Sequence, residues 1–292
     1  MSNSAFIKSS IAKKYWMALT GLFLCLFLVG HLLGNLQLIF STGEEGRRVF
    51  NEYAFFMTHN PAIKVLSYLT YFSILFHAVD GIALFVQNKK ARPVPYAYSK
   101  PSANSSTPSR YMALLGTLVL VFIATHMSNF WWKMKYTEEI PLHSYFAKTD
   151  KDFGDSTYAK VFETKEFYYS QNGPIPKDTA ATTVKGLDIM VKGTNLKYAS
   201  GYKDLHTVVL QYFSKQNTSE SGIPVGLLGT LFYVLSMAVL GFHLWHGFAS
   251  AFQSLGMNHP TYTPMIKVFG RAFSVVVPLL FAIIPVFLYL IS

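Results

Sequence analysis

The sequence predicts an all-α integral membrane bundle: five transmembrane helices, with a long extramembrane loop between helices three and four. Three observations predict it. Of 292 residues, 51% are apolar and only 14% charged, whereas an ordinary soluble domain carries about 25% charged residues. Five apolar runs each have the roughly 20 residues needed to cross a hydrocarbon core of about 30 Å. Asp80 is the only acid within any of them.

The runs cover residues 15–40, 62–86, 111–132, 225–252 and 266–291. Each must be a helix, because lipid offers no partner to an unpaired backbone amide and an open sheet would leave bare edges. Trp16, Trp131 and Trp132 fall near run ends, where an interfacial aromatic belt places them. Although Lys8, Lys13 and Lys14 precede the first run in the manner of a signal peptide, its apolar residues continue past the length of a signal core. No small-residue cleavage site follows. The first run is therefore expected to remain as a span.

Residues 133–222 interrupt the apolar pattern with 12 Lys and 11 acids. The stretch also carries Tyr145, Phe146, Phe153, Tyr158, Phe162, Phe167, Tyr168 and Tyr169. That aromatic content predicts a small folded cap rather than a disordered tail. Lys and Arg in short loops set orientation. Lys8, Lys13, Lys14, Lys89, Lys90, Arg92, Lys100, Arg110, Lys267 and Arg271 gather on one side with no acid among them. The other side holds Arg47, Arg48 and Lys64 with Glu44, Glu45 and Glu52. The N-terminus is thus expected inside, and the C-terminus and the 133–222 insertion outside. The net charge of +10 then reads as a topology signal, and no nucleic-acid partner is expected.

A lone cysteine, Cys25, cannot form an internal disulfide, a four-cysteine zinc site or an iron–sulfur cluster. The histidines are more informative. Of nine, His31, His77, His126, His243 and His246 lie inside the spans, where an ionisable side chain is costly and by default marks function. At 1.5 Å per residue, His31 lies roughly 24 Å and His126 roughly 22 Å along spans rising from inside. His77 lies roughly 22 Å along a descending span, and His243 deeper along the other. Four helices therefore offer two pairs at two heights, spans one and three at the outer, spans two and four at the inner.

Two neutral imidazoles facing each other can supply both axial ligands of a haem iron, with the opposite N–H of each bonded to a backbone carbonyl. Glycines lie nearby: Gly30 and Gly34 flank His31, Gly81 follows His77 by four residues and Gly247 follows His243 by four. A porphyrin needs such cleared helix surface, although membrane helices use glycine for close packing as well. A single zinc or copper site would need its four ligands at one height, so two heights favour two cofactors. The alternative is that each histidine is neutral and simply bonds a neighbouring helix.

Thr20-Gly21-Leu22-Phe23-Leu24 leading to Gly30-His31-Leu32, then Phe76-His77-Ala78-Val79 with Gly81, Thr125-His126, and Phe242-His243 with Gly247 and Gly256, resemble the single-subunit, five-helix dihaem cytochrome b anchor of succinate:quinone oxidoreductases. These are the succinate dehydrogenases and quinol:fumarate reductases. The resemblance covers the five spans and their short loops. It implies two haem b groups, the distal held by His31 and His126 and the proximal by His77 and His243, with His246 competing for the last role. It further implies a flavoprotein subunit and an iron–sulfur subunit on the inner face of a bacterial cytoplasmic membrane. Electrons would pass between those subunits and a membrane quinone, menaquinone by family analogy. The succinate and fumarate chemistry would belong to the other subunits.

The sequence departs from the resemblance in two places. The 133–222 insertion has no counterpart in the better-known five-helix members. A carboxylate those members carry just before span two, near the distal quinone site, has no clear match in Met57-Thr58-His59-Asn60-Pro61. His59 and Glu52 are the candidates for that role. Arg110, Lys13 and Lys14 are candidates for haem propionates at the inner face, where a positive-inside anchor explains them equally well. Asp80, one turn after His77, is a candidate to support that histidine or to carry protons, or is simply a residue close to the inner surface. Rival readings are the cytochrome b of another membrane oxidoreductase, such as a hydrogenase or formate dehydrogenase, and a non-haem transporter or structural membrane protein.

Overall fold

The structure is a computed structural model that describes residues 9–292 except 92, 95–97, 99, 101, 102, 104, 139 and 151–161, and leaves the side chains of Asp150 and Phe162 undescribed. Lys8 and Arg92 of the topology argument, and Phe153 and Tyr158 of the insertion, lie outside the described residues. Five helices are long and apolar enough to cross a membrane: α1 (Ser10–Phe40), α3 (Pro61–Lys90), α4 (Met112–Tyr136), α6 (Val225–Ser254) and α7 (Tyr262–Ile291). Their outward surfaces are apolar, with Leu26, Leu33, Val65, Leu235 and Leu279 exposed, as lipid-facing helix surfaces should be. The fold is an all-α membrane bundle accompanied by small sheets.

The chain divides into two compact units, the first comprising Met1–Leu36, Asn60–His126 and Tyr212–Ser292. This is the bundle. Its core is Cys25, Met237, Leu240, Leu244 and Phe248, with Val119, Phe122, Phe273 and Phe281 packed against it. Polar side chains inside it bond their own helix: Thr20 to the Trp16 carbonyl, Thr70 to Leu66, Thr230 to Gly226 and Ser236 to Phe232. Those bonds place each hydroxyl hydrogen on a carbonyl of its own helix. Asn60 starts α3 sharply, its Oδ1 accepting the amides of Ala62 and Ile63 ahead of the proline at the first helical position, a strong N-terminal signal.

The second unit joins Gln37–His59 to Met127–Gln211, so it differs from the 133–222 insertion in both content and limits. It includes a helix that the apolar pattern did not announce, α2 (Gly43–His59), which buries Gly46, Phe50, Asn51 and Ala54 on one face. The aromatic-rich stretch forms two antiparallel three-stranded sheets. One runs β1 (Ser144–Asp150), β2 (Phe162–Tyr168), β3 (Ile175–Pro176), and the other β4 (Thr182–Lys185), β5 (Asp188–Val191), β6 (Lys197–Ser200). Ser144 pairs with Tyr168 and Asp150 with Phe162, while the register of the second sheet slips at Ile189/Met190. Ile189, Ala199, Leu142 and Ile140 are its buried apolar residues. Helix α5 (Leu205–Tyr212) follows.

Asn51, fully buried on α2, organises this unit. Its amide donates to Asp204 Oδ1 at 2.9 Å and its Oδ1 accepts the His206 amide at 2.9 Å. Asp204 also accepts from Arg47 Nε at 3.0 Å and Nη2 at 2.5 Å, and from the Thr207 amide at 3.2 Å. Burial alone would push the Asp204 carboxyl up. The bonds from Arg47, Asn51 and Thr207 and the Arg47 charge outweigh it and hold the group down at about 2. His143, also fully buried, sets Nε2 2.5 Å from Glu44 Oε1.

Candidate functional site

The bundle brings four of its histidines together as two pairs. His31 and His126 lie with ring centres 5.7 Å apart and planes crossed at 84°. His77 and His243 lie 6.2 Å apart, crossed at 66°. The pairing joins α1 to α4 and α3 to α6. His246, three residues beyond His243, is half-buried and belongs to neither pair. Among the described residues no three His, Cys, Asp or Glu cluster as one metal site, which argues against a single four-histidine centre.

The residues surrounding each pair show that the pairs occupy different heights. His77 lies against the start of α1: its Nδ1 is 3.2 Å from the Met17 carbonyl and 3.3 Å from Thr20 Oγ1. A Cβ on Gly21 would come within 3.1 Å of its Cε1. His243 lies against α4 at Gly116, where a Cβ would stand 3.4 Å from its Cε1. In the other direction, Tyr233 of α6 sets its hydroxyl 3.4 Å from His126 Nδ1. Each of three helices therefore touches both pairs, and the touching positions are ten residues apart in every case: 31 less 21, 126 less 116 and 243 less 233. At 1.5 Å of rise per residue, the pairs stand about 15 Å apart along the bundle.

Each ring of the His31–His126 pair is braced from its own helix. Phe27, four residues before His31, stacks on it at 5.3 Å and 14°. Phe122, four before His126, stacks at 5.7 Å and 29°. Positions four apart share a helix face, so this brace can be read as Phe-x-x-x-His. The His77 and His243 rings instead have a glycine of a neighbouring helix against their Cε1 edge. Neither Tyr233 nor Gly116 was singled out by sequence reasoning; the ten-residue interval from the histidine on the same helix was the signal that could have found both.

The donor set fits an iron porphyrin. Metal–nitrogen bonds of about 2 Å on each side plus half of each ring put opposed imidazole centres roughly 6 to 6.5 Å apart, near both observed spacings. The contacts of His77 and His126 run through Nδ1, the nitrogen that an Nε2-ligating imidazole keeps for its surroundings, while the Asn35 amide beside His31 donates to the His31 carbonyl at 2.8 Å. His243 Nδ1 is buried with no partner. At Gly30, beside His31, the position of a Cβ is open space, and at Gly81 only the Met17 methyl comes near.

The remaining candidates lie elsewhere. His59 is exposed, stacked on Phe55 at 3.8 Å, with Nδ1 2.9 Å from the Phe55 carbonyl. Glu52 accepts from Tyr169 at 2.5 Å and from Arg48 Nη1 at 3.1 Å. Burial first, then the Glu52 bond, push the Tyr169 phenol up against the opposing effect of Arg48. Arg110 donates to the Ser105 carbonyl and to Thr107 Oγ1. Lys13 is half-buried and Lys14 exposed. Asp80 is half-buried one turn beyond His77. No family model, curated protein or solved structure matches the chain.

Proposed function

We propose that this chain is the dihaem cytochrome b that anchors the flavoprotein and iron–sulfur subunits of a succinate:quinone oxidoreductase, a succinate dehydrogenase or fumarate reductase, to the membrane. The observation that carries the reading is the apposition of four half-buried histidines as two pairs about 15 Å apart, on four helices able to cross a membrane. His31 and His126 would hold the outer haem b, His77 and His243 the inner one. Bound there, each haem supplies a one-electron redox centre at its own depth. The protein's contribution is to hold neutral imidazoles, with the remaining nitrogens of His77 and His126 on uncharged partners: the Met17 carbonyl, Thr20 and Tyr233. The apolar bundle core keeps water away from both pairs.

The basic inner loops suit the docking of the catalytic subunits on the cytoplasmic face, with the N-terminus inside and the C-terminus and insertion outside a bacterial inner membrane. Quinone, with menaquinone the species expected, would exchange electrons at the lipid boundary. His59, exposed at the end of α2, is the better placed of the two proton-donor candidates, because Glu52 is committed to Arg48 and Tyr169.

Purification of the tagged chain from its native membrane tests the assignment. A flavoprotein and an iron–sulfur protein should accompany it, and the complex should reduce a quinone with succinate or oxidise a quinol with fumarate. Recovery instead with a nickel or molybdenum enzyme, or of a colourless chain alone, would overturn it.

A further inference from the structure

The two histidines of the inner pair are unequal, and the difference identifies a residue that sets one of them. Thr20 has a single hydroxyl hydrogen, and its closest acceptor is the Trp16 carbonyl at 2.7 Å, with the Met17 carbonyl at 3.2 Å. With that hydrogen spent on its own helix, the hydroxyl can only accept from His77 Nδ1, 3.3 Å away. The other neighbour of Nδ1 is the Met17 carbonyl at 3.2 Å, which is also an acceptor. Both partners being acceptors, Nδ1 must carry the ring proton, and the lone pair falls on Nε2. The Gly21 position, where a Cβ would press on His77 Cε1 at 3.1 Å, lets the ring come close enough for these contacts.

Across the pair, His243 has no equivalent. Its Nδ1 is buried without a partner, and Gly116, whose Cβ position would stand 3.8 Å from that nitrogen, has no side chain to offer one. An N–H that donates to an acceptor makes the imidazole a more basic ligand; an undonated one does not.

We propose that Thr20 is a positioning residue for the inner haem, selecting with the Met17 carbonyl the His77 tautomer that ligates through Nε2 and making His77 the stronger ligand and His243 the weaker. This rests on the dihaem reading above and goes beyond it by assigning a role to a residue that touches no metal. Stronger donation stabilises the ferric state, so loss of the acceptor should make the inner haem easier to reduce.

Redox titration of the assembled complex tests this. Thr20→Val, which keeps the side-chain volume but removes one of the two acceptors, should shift the inner haem's midpoint potential upward, leave the outer haem's in place and retain two haems per chain. Thr20→Ser should return the inner potential toward the starting value. Electron–nuclear double resonance of the unmodified complex gives a second readout that needs no variant: the two remote nitrogens on the inner haem should give distinct couplings, one hydrogen-bonded and one not. Equivalent remote nitrogens, or an unmoved inner potential in Thr20→Val, would overturn the role of Thr20 while the dihaem assignment stands. Absence of haem from the unmodified complex would overturn both.

Discussion

The bundle and the second unit treat the same residue type in opposite ways. In the second unit His143 is buried beside the Glu44 carboxylate, within a network that also holds Asp204, Arg47 and Asn51. That network is anchored by ions, and its histidine is occupied by them. In the bundle His31 faces His126 and His77 faces His243, and His77 Nδ1 and His126 Nδ1 lie beside the uncharged Met17 carbonyl and Tyr233 hydroxyl. Two neutral imidazoles gain little from each other, and placing both in an apolar core costs desolvation. A histidine bonded to a carboxylate is explained by the fold alone. One facing a second histidine in a span is what the proposed haem assignment accounts for.

The most drastic way to break the comparison is to remove a member of a pair. His126→Ala should abolish the outer haem spectrum and keep the inner one, and His243→Ala should do the reverse, both read by low-temperature redox difference spectra. Loss of both haems from either change, with the protein folded, would show that the pairs are not independent. His246→Ala should retain both haems, since His246 belongs to neither pair. In the second unit the equivalent break is Asp204→Asn, which leaves Arg47 without its buried partner. Disrupting a buried ion pair typically costs about 3 to 5 kcal/mol, so residues 127–211 should become susceptible to protease while haem content stays unchanged.

A subtler separation comes from pH. The Asp204 carboxyl, with its folded value depressed to about 2, stabilises the second unit fully above its ordinary value near 4 and loses that contribution as pH falls through about 2. The loss is roughly 2 kcal/mol. Hydrogen-exchange protection in 127–211, taken relative to the intrinsic rate at each pH, should therefore fall between pH 4 and pH 2, and much less in Asp204→Asn. The finest distinction is spectroscopic. Ring planes crossed at 84° and 66° should give both ferric haems strongly anisotropic low-spin resonances, whereas parallel ligand planes would give ordinary rhombic ones.

The five spans were legible because a bilayer demands long uninterrupted apolar runs, and the histidines because a polar residue stands out inside such a run. Depth counted at a fixed rise per residue was sufficient to group His31 with His126 and His77 with His243. The glycines were harder to read. Gly30 and Gly81, near their own histidines, were visible, but Gly21 and Gly116 act on histidines of other helices, and chain position alone does not say which face meets which neighbour. In the second unit local pattern had little to offer. Strands of two to seven residues carry few alternations, and the Arg47–Asp204 pair joins positions 157 residues apart. Helix α2 escaped notice because its buried face is only Gly46, Phe50, Asn51 and Ala54, two of them small and one polar.

Haem stoichiometry tests the central claim most directly. The purified complex, assayed as its pyridine haemochrome against the amount of this chain, should contain two non-covalently held haem b groups per chain, falling to one in His126→Ala. A ratio of zero, in material reconstituted with haem and shown to be folded, would contradict the account and leave the paired imidazoles as helix-to-helix contacts in a multi-pass scaffold.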